Sequence, residues 1–308
     1  MRLFKKTNID FLSKRKITYT MSISLILIGI LAIFFKGISF GIDFQGGTEI
    51  VLAFQQKIEI GEIRAALSKE GLGKSEIKYY GTSNYILVNT GEQAEGTSIA
   101  DRIKNAVQIS MPDKKFEVIK EDKIGPKIGK ELRLDALYAI IWAFFAILAY
   151  IAIRFKFAYG LGAVIALIHD VLLTIGFLTI LNGLIPGLNL EISQEIIAAF
   201  LTLIGVSVND TVVVFDRMRE NGKIYRSMSL GEIMRKSLNE TLSRTIITSV
   251  TIFLVLVVLL VFGGEVIRGF AFTMAFGVIT GTYSSIFIAS AFVLDWTQYQ
   301  NRKRVKTA

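Results

Sequence analysis

The sequence contains no cysteine, one histidine and three prolines in 308 residues, and only 20% of it is charged. Without cysteine there is no disulfide framework, no thiolate metal site and no cysteine nucleophile. A single histidine cannot build a histidine-cluster metal site. No nucleophile–base set can be assembled either, so an enzyme is the least favoured class and no cofactor is expected. The lack of cysteine is compatible with an oxidising compartment. What the chain has in excess is apolar residues, at 52%. That much buriable surface excludes intrinsic disorder.

The apolar residues are gathered into runs of membrane length. About 20 apolar residues in a helix cross a bilayer core. Residues 17–35 and 245–264 carry no charge, and neither do residues 269–294. Residues 134–153 carry only Asp135, residues 157–181 only Asp170, and residues 196–215 only Asp210. Six transmembrane helices are therefore expected. Soluble core helices of this length would show a polar face. The first run is longer than a signal-peptide core, and Lys36-Gly37-Ile38-Ser39 after it is no small-residue cleavage site, so it reads as a retained anchor.

The charges set an orientation. Nineteen Lys and Arg residues fall on one side of the spans. They lie in a tail of residues 1–16, around Arg154 and Lys156, in a loop of residues 216–244, and in a tail of residues 296–308. The loop of residues 182–195 on the other side has none, and the turn near Gly263 has only Arg268. Positive loops stay cytoplasmic. Both termini are thus expected inside, and residues 37–131 outside. That large segment holds 13 Lys and Arg against 14 Asp and Glu, so the net charge of +9 belongs mainly to the cytoplasmic face. Topology and contact with anionic lipid account for it better than nucleic acid does, since no basic motif with interleaved aromatics is present.

The outer segment has a fold signal of its own. Residues 49–54 read as a strand and 60–70 as a helix with Ile60, Ile63 and Leu67 on one stripe. Residues 77–80 and 85–89 are β-rich runs joined by Gly81-Thr82-Ser83-Asn84. Residues 98–111 are helical up to Pro112, and 116–119 form a last strand. The order β-α-β-β-α-β predicts a ferredoxin-like α+β domain of residues 37–131, between helix 1 (17–36) and helices 2–6 (132–295).

Glycines punctuate both junctions with the membrane. Phe40-Gly41-Ile42-Asp43-Phe44-Gln45-Gly46-Gly47-Thr48 follows the first span. It fits no phosphate-binding loop and reads as a shaped exit from the membrane. Gly125-Pro126-Lys127-Ile128-Gly129-Lys130-Glu131-Leu132 leads into the second span, as a turn or a hinge. Gly277 and Gly281 form a small-residue packing pair on the last span.

The ionisable groups inside the spans are the functional candidates, because each costs at least about 2.5 kcal/mol to insert and needs a partner or water. Asp170 lies about 18 Å from the inner end of its span and Asp210 about 9 Å above Asp216. Asp135 is near an outer end and suits the interface. Arg244 stands at the inner start of the fifth span, with Thr248 and Thr251 on its stripe. Asp210 and Arg244 form either a packing ion pair or a proton-coupling pair; Asp170 is a second proton candidate, and neighbouring His169 reads more simply as a packed core residue.

These stretches resemble a known family. Residues 40–48 are similar to the signature that opens the outer domain of SecD and SecF proteins, and 125–132 to the motif before their second helix. Val206-Ser207-Val208-Asn209-Asp210-Thr211 through Phe215-Asp216-Arg217, Ile168-His169-Asp170-Val171, and Leu238-Asn239-Glu240-Thr241-Leu242-Ser243-Arg244-Thr245 resemble the same family. The resemblance covers nearly the whole chain. It implies an RND-type half of six helices in the bacterial inner membrane, a SecD partner, association with the SecYEG channel and at times YajC, and use of the proton-motive force to move an exported preprotein. It also implies roles for Asp210, Arg244 and Asp170 in proton coupling, and for Gly41, Asp43, Gly46, Gly47, Gly125 and Gly129 in transmitting motion. The rivals are a non-transporting scaffold of the channel complex and a proton-coupled small-molecule exporter.

Overall fold

The computed structural model describes residues 7–92, 98–155, 157–185 and 188–307. Of the cationic positions above, Arg2, Lys5, Lys6 and Lys156 lie outside the described residues. A short turn at Leu12–Lys14 leads into helix α1, Arg15–Lys36. Its C-terminal end is closed by Gly37 at φ 76°, which ends the helix without a Cβ penalty. A single-turn helix α2, Ile42–Gln45, lies in the glycine-bounded segment that was read as a shaped exit from the membrane.

The outer module follows as β1 (Gly47–Phe54), α3 (Ile60–Lys69), β2 (Glu76–Tyr80), β3 (Thr82–Thr90), α4 (Ser98–Ser110) and β4 (Phe116–Ile124). The sheet order is β2-β3-β1-β4, with every neighbouring pair antiparallel. This is the ferredoxin-like arrangement. Alternate residues of a strand share a face. Ile50, Leu52 and Phe54 of β1 and Ile86 and Val88 of β3 therefore meet Ile63 and Leu67 of α3 and Ile103 and Val107 of α4 in one core. The β2–β3 connection is tighter than its sequence suggests. Only Gly81 separates the strands, at φ 78°, and the pairing slips between Tyr79 and Tyr80 to absorb the reversal.

The remaining spans are α5 (Pro126–Arg154), α6 (Phe157–Leu181), α7 (Gln194–Ile224), α8 (Leu230–Phe262), and α9 (Glu265–Ser284) continued through a π-helical turn, Ser285–Ala289, into α10 (Ser290–Thr307). With α1 they make six helices, among the described residues, that are long and apolar enough to cross a membrane. Leu137, Trp142 and Phe145 of α5 and Leu254, Val255 and Val258 of α8 are exposed, as lipid-facing residues would be. The 216–244 stretch is not the loop its polarity suggests. Helices α7 and α8 run on past the apolar runs, leaving only residues 225–229 between them. Ser229 and Glu232 cap each other's backbone at the start of α8, so the polar extension is locally stable.

Small residues let the helices touch. A Cβ on Gly176 of α6 would lie 2.7 Å from Gly29 Cα of α1, so the two backbones are in contact there. Gly277 meets Leu203, and Gly281 meets Ser207, so the expected small-residue pair seats α9 on α7 of the same chain.

The outer module is fastened to the membrane-spanning part. Phe40 bridges Ile192 in the α6–α7 connection, with Gly41 N–H on the Ile192 carbonyl at 2.9 Å and Ile192 N–H on the Ser39 carbonyl at 2.8 Å. On the other side, residues 44–46 pack against the first turns of α5. Residues 125–131 are the cap and opening turns of that continuous helix, with Pro126 at its favoured first position.

Candidate functional site

Asp170 of α6 is 1% exposed and is surrounded by donors. Its Oδ2 accepts from Ser207 Oγ of α7 at 2.6 Å and Ser284 Oγ of α9 at 2.7 Å. Its Oδ1 lies 2.9 Å from His169 Nδ1. The far nitrogen of His169 is 3.0 Å from Ser22 Oγ of α1, and Ser22 Oγ is 3.1 Å from the Tyr283 hydroxyl of α9. Adjacent helix positions do not share a face, yet the His169 ring turns back onto the Asp170 carboxylate. Tyr283 lies beside the imidazole with ring centroids 5.9 Å apart. One buried carboxylate thus joins four helices. A carboxylate in such a place is tolerated only with its acceptor positions filled.

Asp210 of α7 is also buried, and Ser249 Oγ of α8 reaches its Oδ2 at 3.3 Å. Ser249 is in turn 2.6 Å from Thr282 Oγ1 of α9. The two carboxylates are therefore attached to consecutive parts of one segment, Thr282-Tyr283-Ser284, just ahead of the π turn. Extra-residue turns of this kind recur at functional positions of helices. Arg244 does not close onto Asp210. It is exposed on α8, and it acts on Asp210 only across electrostatic distance. The buried ion pair entertained from the sequence is not formed. Arg244 lies more than a turn nearer the start of α8 than Ser249, which takes the place facing Asp210.

At the end of the spans next to the sheet, a second polar constellation ties the α+β module to α7 and the segment before it. Asp43 Oδ2 accepts the Gln194 N–H at 3.0 Å, at the first residue of α7. Burial pushes the Asp43 carboxyl above the usual aspartate range, and the Gln194 N–H opposes that shift. Lys78 of β2 bonds Glu191 Oε1 at 2.6 Å and Glu76 at 3.1 Å. Glu191 is 5% exposed, and burial raises its carboxyl against the pull of Lys78. Burial also works against the Lys78 ammonium, but the two glutamates outweigh it, so Lys78 holds its proton more tightly than an ordinary lysine. A cavity of about 110 Å³ lies beside these groups, lined also by Gly41, Glu49 and Lys120. Removing Lys78 leaves Glu191 buried and unpaired, which costs about 3–5 kcal/mol in comparable pairs. Lys78→Met should therefore loosen the module from the membrane face, read as faster amide exchange in residues 188–193. Adding Glu191→Gln should restore slow exchange. Unchanged exchange in the single variant would show that the pair does not hold the module.

A family profile described as "Protein export membrane protein SecD/SecF, C-terminal" matches residues 103–299, and a "SecD/SecF GG Motif" profile matches residues 31–58. The chain belongs to the SecD/SecF family. It is 42% identical to the protein translocase subunit SecF of Rhodothermus marinus over the full length of both chains. It is 43% identical to that of Thermodesulfovibrio yellowstonii, covering 96% of each. The fold is similar to the crystal structure of SecDF, a translocon-associated membrane protein from Thermus thermophilus. There the TM-score is 0.84, the identity 34%, and the match covers 95% of this chain and 39% of that one. A super-membrane-facing form of SecDF matches all of this chain and 41% of its own length, at a TM-score of 0.73.

Against the residues named from sequence, the geometry divides the set. Asp170 and Asp210 converge on α9 from two sides, whereas Arg244 faces outward. Gly46 and Gly129 lie against each other at the junction with the outer module, and a Cβ on Gly129 would sit 2.9 Å from Gly46 N. Gly41 and Asp43 lie at the docking seam, and Gly125 caps α5. Ser22, Tyr283, Ser284, Ser249 and Thr282 were not singled out from sequence. Each is an uncharged hydroxyl residue inside a membrane-length run, where nothing local marks it as a partner of a carboxylate. A hint was available, in that Thr282-Tyr283-Ser284-Ser285 is four hydroxyl residues in a row within the sixth span.

Proposed function

We propose that this chain works as the SecF-type subunit of the bacterial protein-export machinery, using the proton-motive force with a SecD partner to promote late stages of preprotein movement. Family membership supports the export role, because full-length relatives carry the SecF translocase name. The observation that carries the proton reading is the pair of buried carboxylates, Asp170 and Asp210, held to one segment of α9. Gain of a proton on either changes which donors it can hold, and so biases packing between α6, α7 and α9. One charge moved across 100 mV is worth about 2.3 kcal/mol, enough to shift a marginal two-state element.

The same reading gives Arg244 a use. Arg244 stands exposed at the inner start of the apolar run of α8, with no salt bridge to it among the described residues. A carboxylate on a six-helix partner, in a pseudo-symmetric arrangement with α7 and α8, would meet it. SecD is that partner in this proposal, with SecYEG and, in some assemblies, YajC beside it and the exported chain as cargo. The positive side of the spans, which carries Arg15, lies in the cytoplasm and the α+β module outside the inner membrane. Movement would pass from α7 through Gln194 and Asp43 to the module, and from α5 through the Gly46–Gly129 contact.

The test uses inner-membrane vesicles depleted of the native subunit and resupplied with this chain and its partner. Completion of preprotein export is followed with and without a proton gradient. The wild type is expected to show gradient-dependent completion, and Asp210→Asn to lose it at equal abundance and equal partner co-purification. If the Asn variant keeps the gradient dependence, Asp210 is structural. If the wild type itself shows none, the chain is a scaffold of the channel complex.

A further inference from the structure

The chain of buried groups leading away from Asp170 has a direction. From Asp170 Oδ1 it runs to His169 Nδ1 at 2.9 Å, across the ring to Nε2, to Ser22 Oγ at 3.0 Å and to the Tyr283 hydroxyl at 3.1 Å. The Tyr283 hydroxyl then donates to the Thr18 carbonyl at 3.1 Å. Ser22 is about 10 Å into α1 from Arg15, and Thr18 is one turn nearer that end. Beyond it, Arg15 Nε holds Asp295 Oδ1 at 2.8 Å and Tyr19 reaches Asp295 Oδ2 at 3.4 Å, at the surface of the bundle. The chain therefore connects a mid-span carboxylate with the Arg15 end of the molecule.

From this continuity we infer that His169, Ser22 and Tyr283 form a proton relay between Asp170 and the side of the membrane on which Arg15 lies. The inference rests on the proton-coupled reading above and supplies it with a path. Two complete hydrogen-bond patterns exist on the same heavy atoms. With Asp170 protonated, its O–H donates to His169 Nδ1, Nε2–H donates to Ser22, Ser22 to Tyr283, and Tyr283 to the Thr18 carbonyl. With Asp170 ionised, Nδ1–H donates to the carboxylate, Ser22 donates to Nε2, and Tyr283 turns to Ser22.

Passing from the first pattern to the second moves one proton. Asp170 gives its proton to Nδ1 as Nε2 gives one to Ser22. Ser22 passes its own to Tyr283, whose phenolic proton leaves its hydrogen bond with the Thr18 carbonyl for a water molecule on that side. One O–H bond breaks at Asp170, and one O–H bond forms in that water. Imidazole, hydroxyl and phenol all end neutral. The relay is ready for the next proton once Ser22 and Tyr283 have turned back and the imidazole again carries its proton on Nε2 instead of Nδ1.

Tyr283 of α9 is a member of the relay. From α7, Ser207 holds the other carboxylate oxygen, with Asp210 three residues on. From α8, Ser249 faces Asp210. At the exit stand Arg15 and Tyr19 of α1 and Asp295 of α10. The stacking of Tyr283 on Phe287, at 5.1 Å between centroids, does not involve the hydroxyl. Phenylalanine at 283 therefore keeps the packing and removes only the relay atom.

The experiment reconstitutes the full chain with its partner in vesicles loaded with a pH-sensitive dye and imposes a proton gradient. Wild type, Tyr283→Phe, Ser22→Ala and Asp210→Asn are compared, each checked for equal incorporation and thermal unfolding. Proton flux in Tyr283→Phe and in Ser22→Ala is expected to fall roughly tenfold or more, since a positioned transfer group is worth at least that. The wild-type flux should also show a solvent isotope effect in deuterium oxide. If both relay variants keep the wild-type rate while Asp210→Asn loses it, the relay is overturned and the proton reading stands. If the wild type carries no flux, the proton reading fails and the relay with it.

Discussion

Gly47→Ala is expected to prevent the folded chain from accumulating in the membrane. Gly47 begins β1 with φ at 147°, where an L side chain is strained. A Cβ there would lie 2.5 Å from the Thr90 carbonyl oxygen, at the end of β3. The obstacle is backbone in the middle of a sheet, so it cannot swing aside as a side chain could. The dihedral costs about 1–3 kcal/mol, and forcing atoms into a packed site costs about 1–3 kcal/mol more. Neighbouring Gly46 adds to the sensitivity of the region. It has φ 73°, and a Cβ on it would meet Pro126 Cα at 2.9 Å. The sheet, α2 and the first turn of α5 are closed on one another here. A folded chain has only about 5–15 kcal/mol to lose. Gly61→Ala is the control. Its Cβ meets nothing within 4 Å, and it lies in α3, where alanine is the better helix former. Membrane abundance and thermal unfolding of the partner-bound chain in detergent are the measurements. Equal unfolding temperatures for Gly47→Ala and wild type would mean that the seam is free to shift.

What could be read in advance follows the range of the forces involved. The six spans and the β-α-β-β-α-β order depend on local hydropathy, period and turn residues, all written within a few residues of one another. The ends of elements were less visible where polarity and helicity part company. The polar stretch between α7 and α8 looks like a loop by hydropathy, yet a capping box at Ser229 and Glu232 keeps it helical. The short α2 and the π turn are absent from any periodicity, because each involves only four or five residues and is set by its neighbours. In the site, a carboxylate in an apolar run announces itself by its cost, so Asp170 and Asp210 stood out. Their hydroxyl partners did not, because serine or threonine in a helix can satisfy itself on its own backbone. Ser22 meets His169 across 147 positions, and Ser284 meets Asp170 across 114. Only the fold brings such pairs together. Arg244 shows the converse, since spacing suggested Asp210 as a partner and the turn of α8 points it elsewhere.

Asp170 offers a way to separate fold from function with two substitutions. Asp170→Ala should destabilise the bundle severely. It removes the acceptor for Ser207 and His169 and leaves a small cavity among α1, α6, α7 and α9. Ser284 is the partner that can recover, because its hydroxyl already lies 3.2 Å from the Gly281 carbonyl. Buried groups left without partners cost about 1–3 kcal/mol each, and the cavity adds to this, giving a loss of about 3–5 kcal/mol. Asp170→Asn should behave differently. The asparagine carbonyl can take the place of Oδ2 and accept from Ser207 and Ser284. Its amide then faces His169 Nδ1 and donates to it, provided the imidazole proton moves to Nε2, where Ser22 accepts it. Every buried group keeps a partner, so unfolding of the Asn variant should stay within about 1 kcal/mol of wild type. The arrangement it adopts is that of the protonated aspartate, and it cannot leave it, because an amide has no proton to lose at physiological pH. The Asn variant is thus expected to fold, bind its partner and yet lose gradient-dependent export. If it retains that dependence, the proton is carried by Asp210 alone, and Asp170 serves as a junction that any neutral acceptor of the right shape can replace.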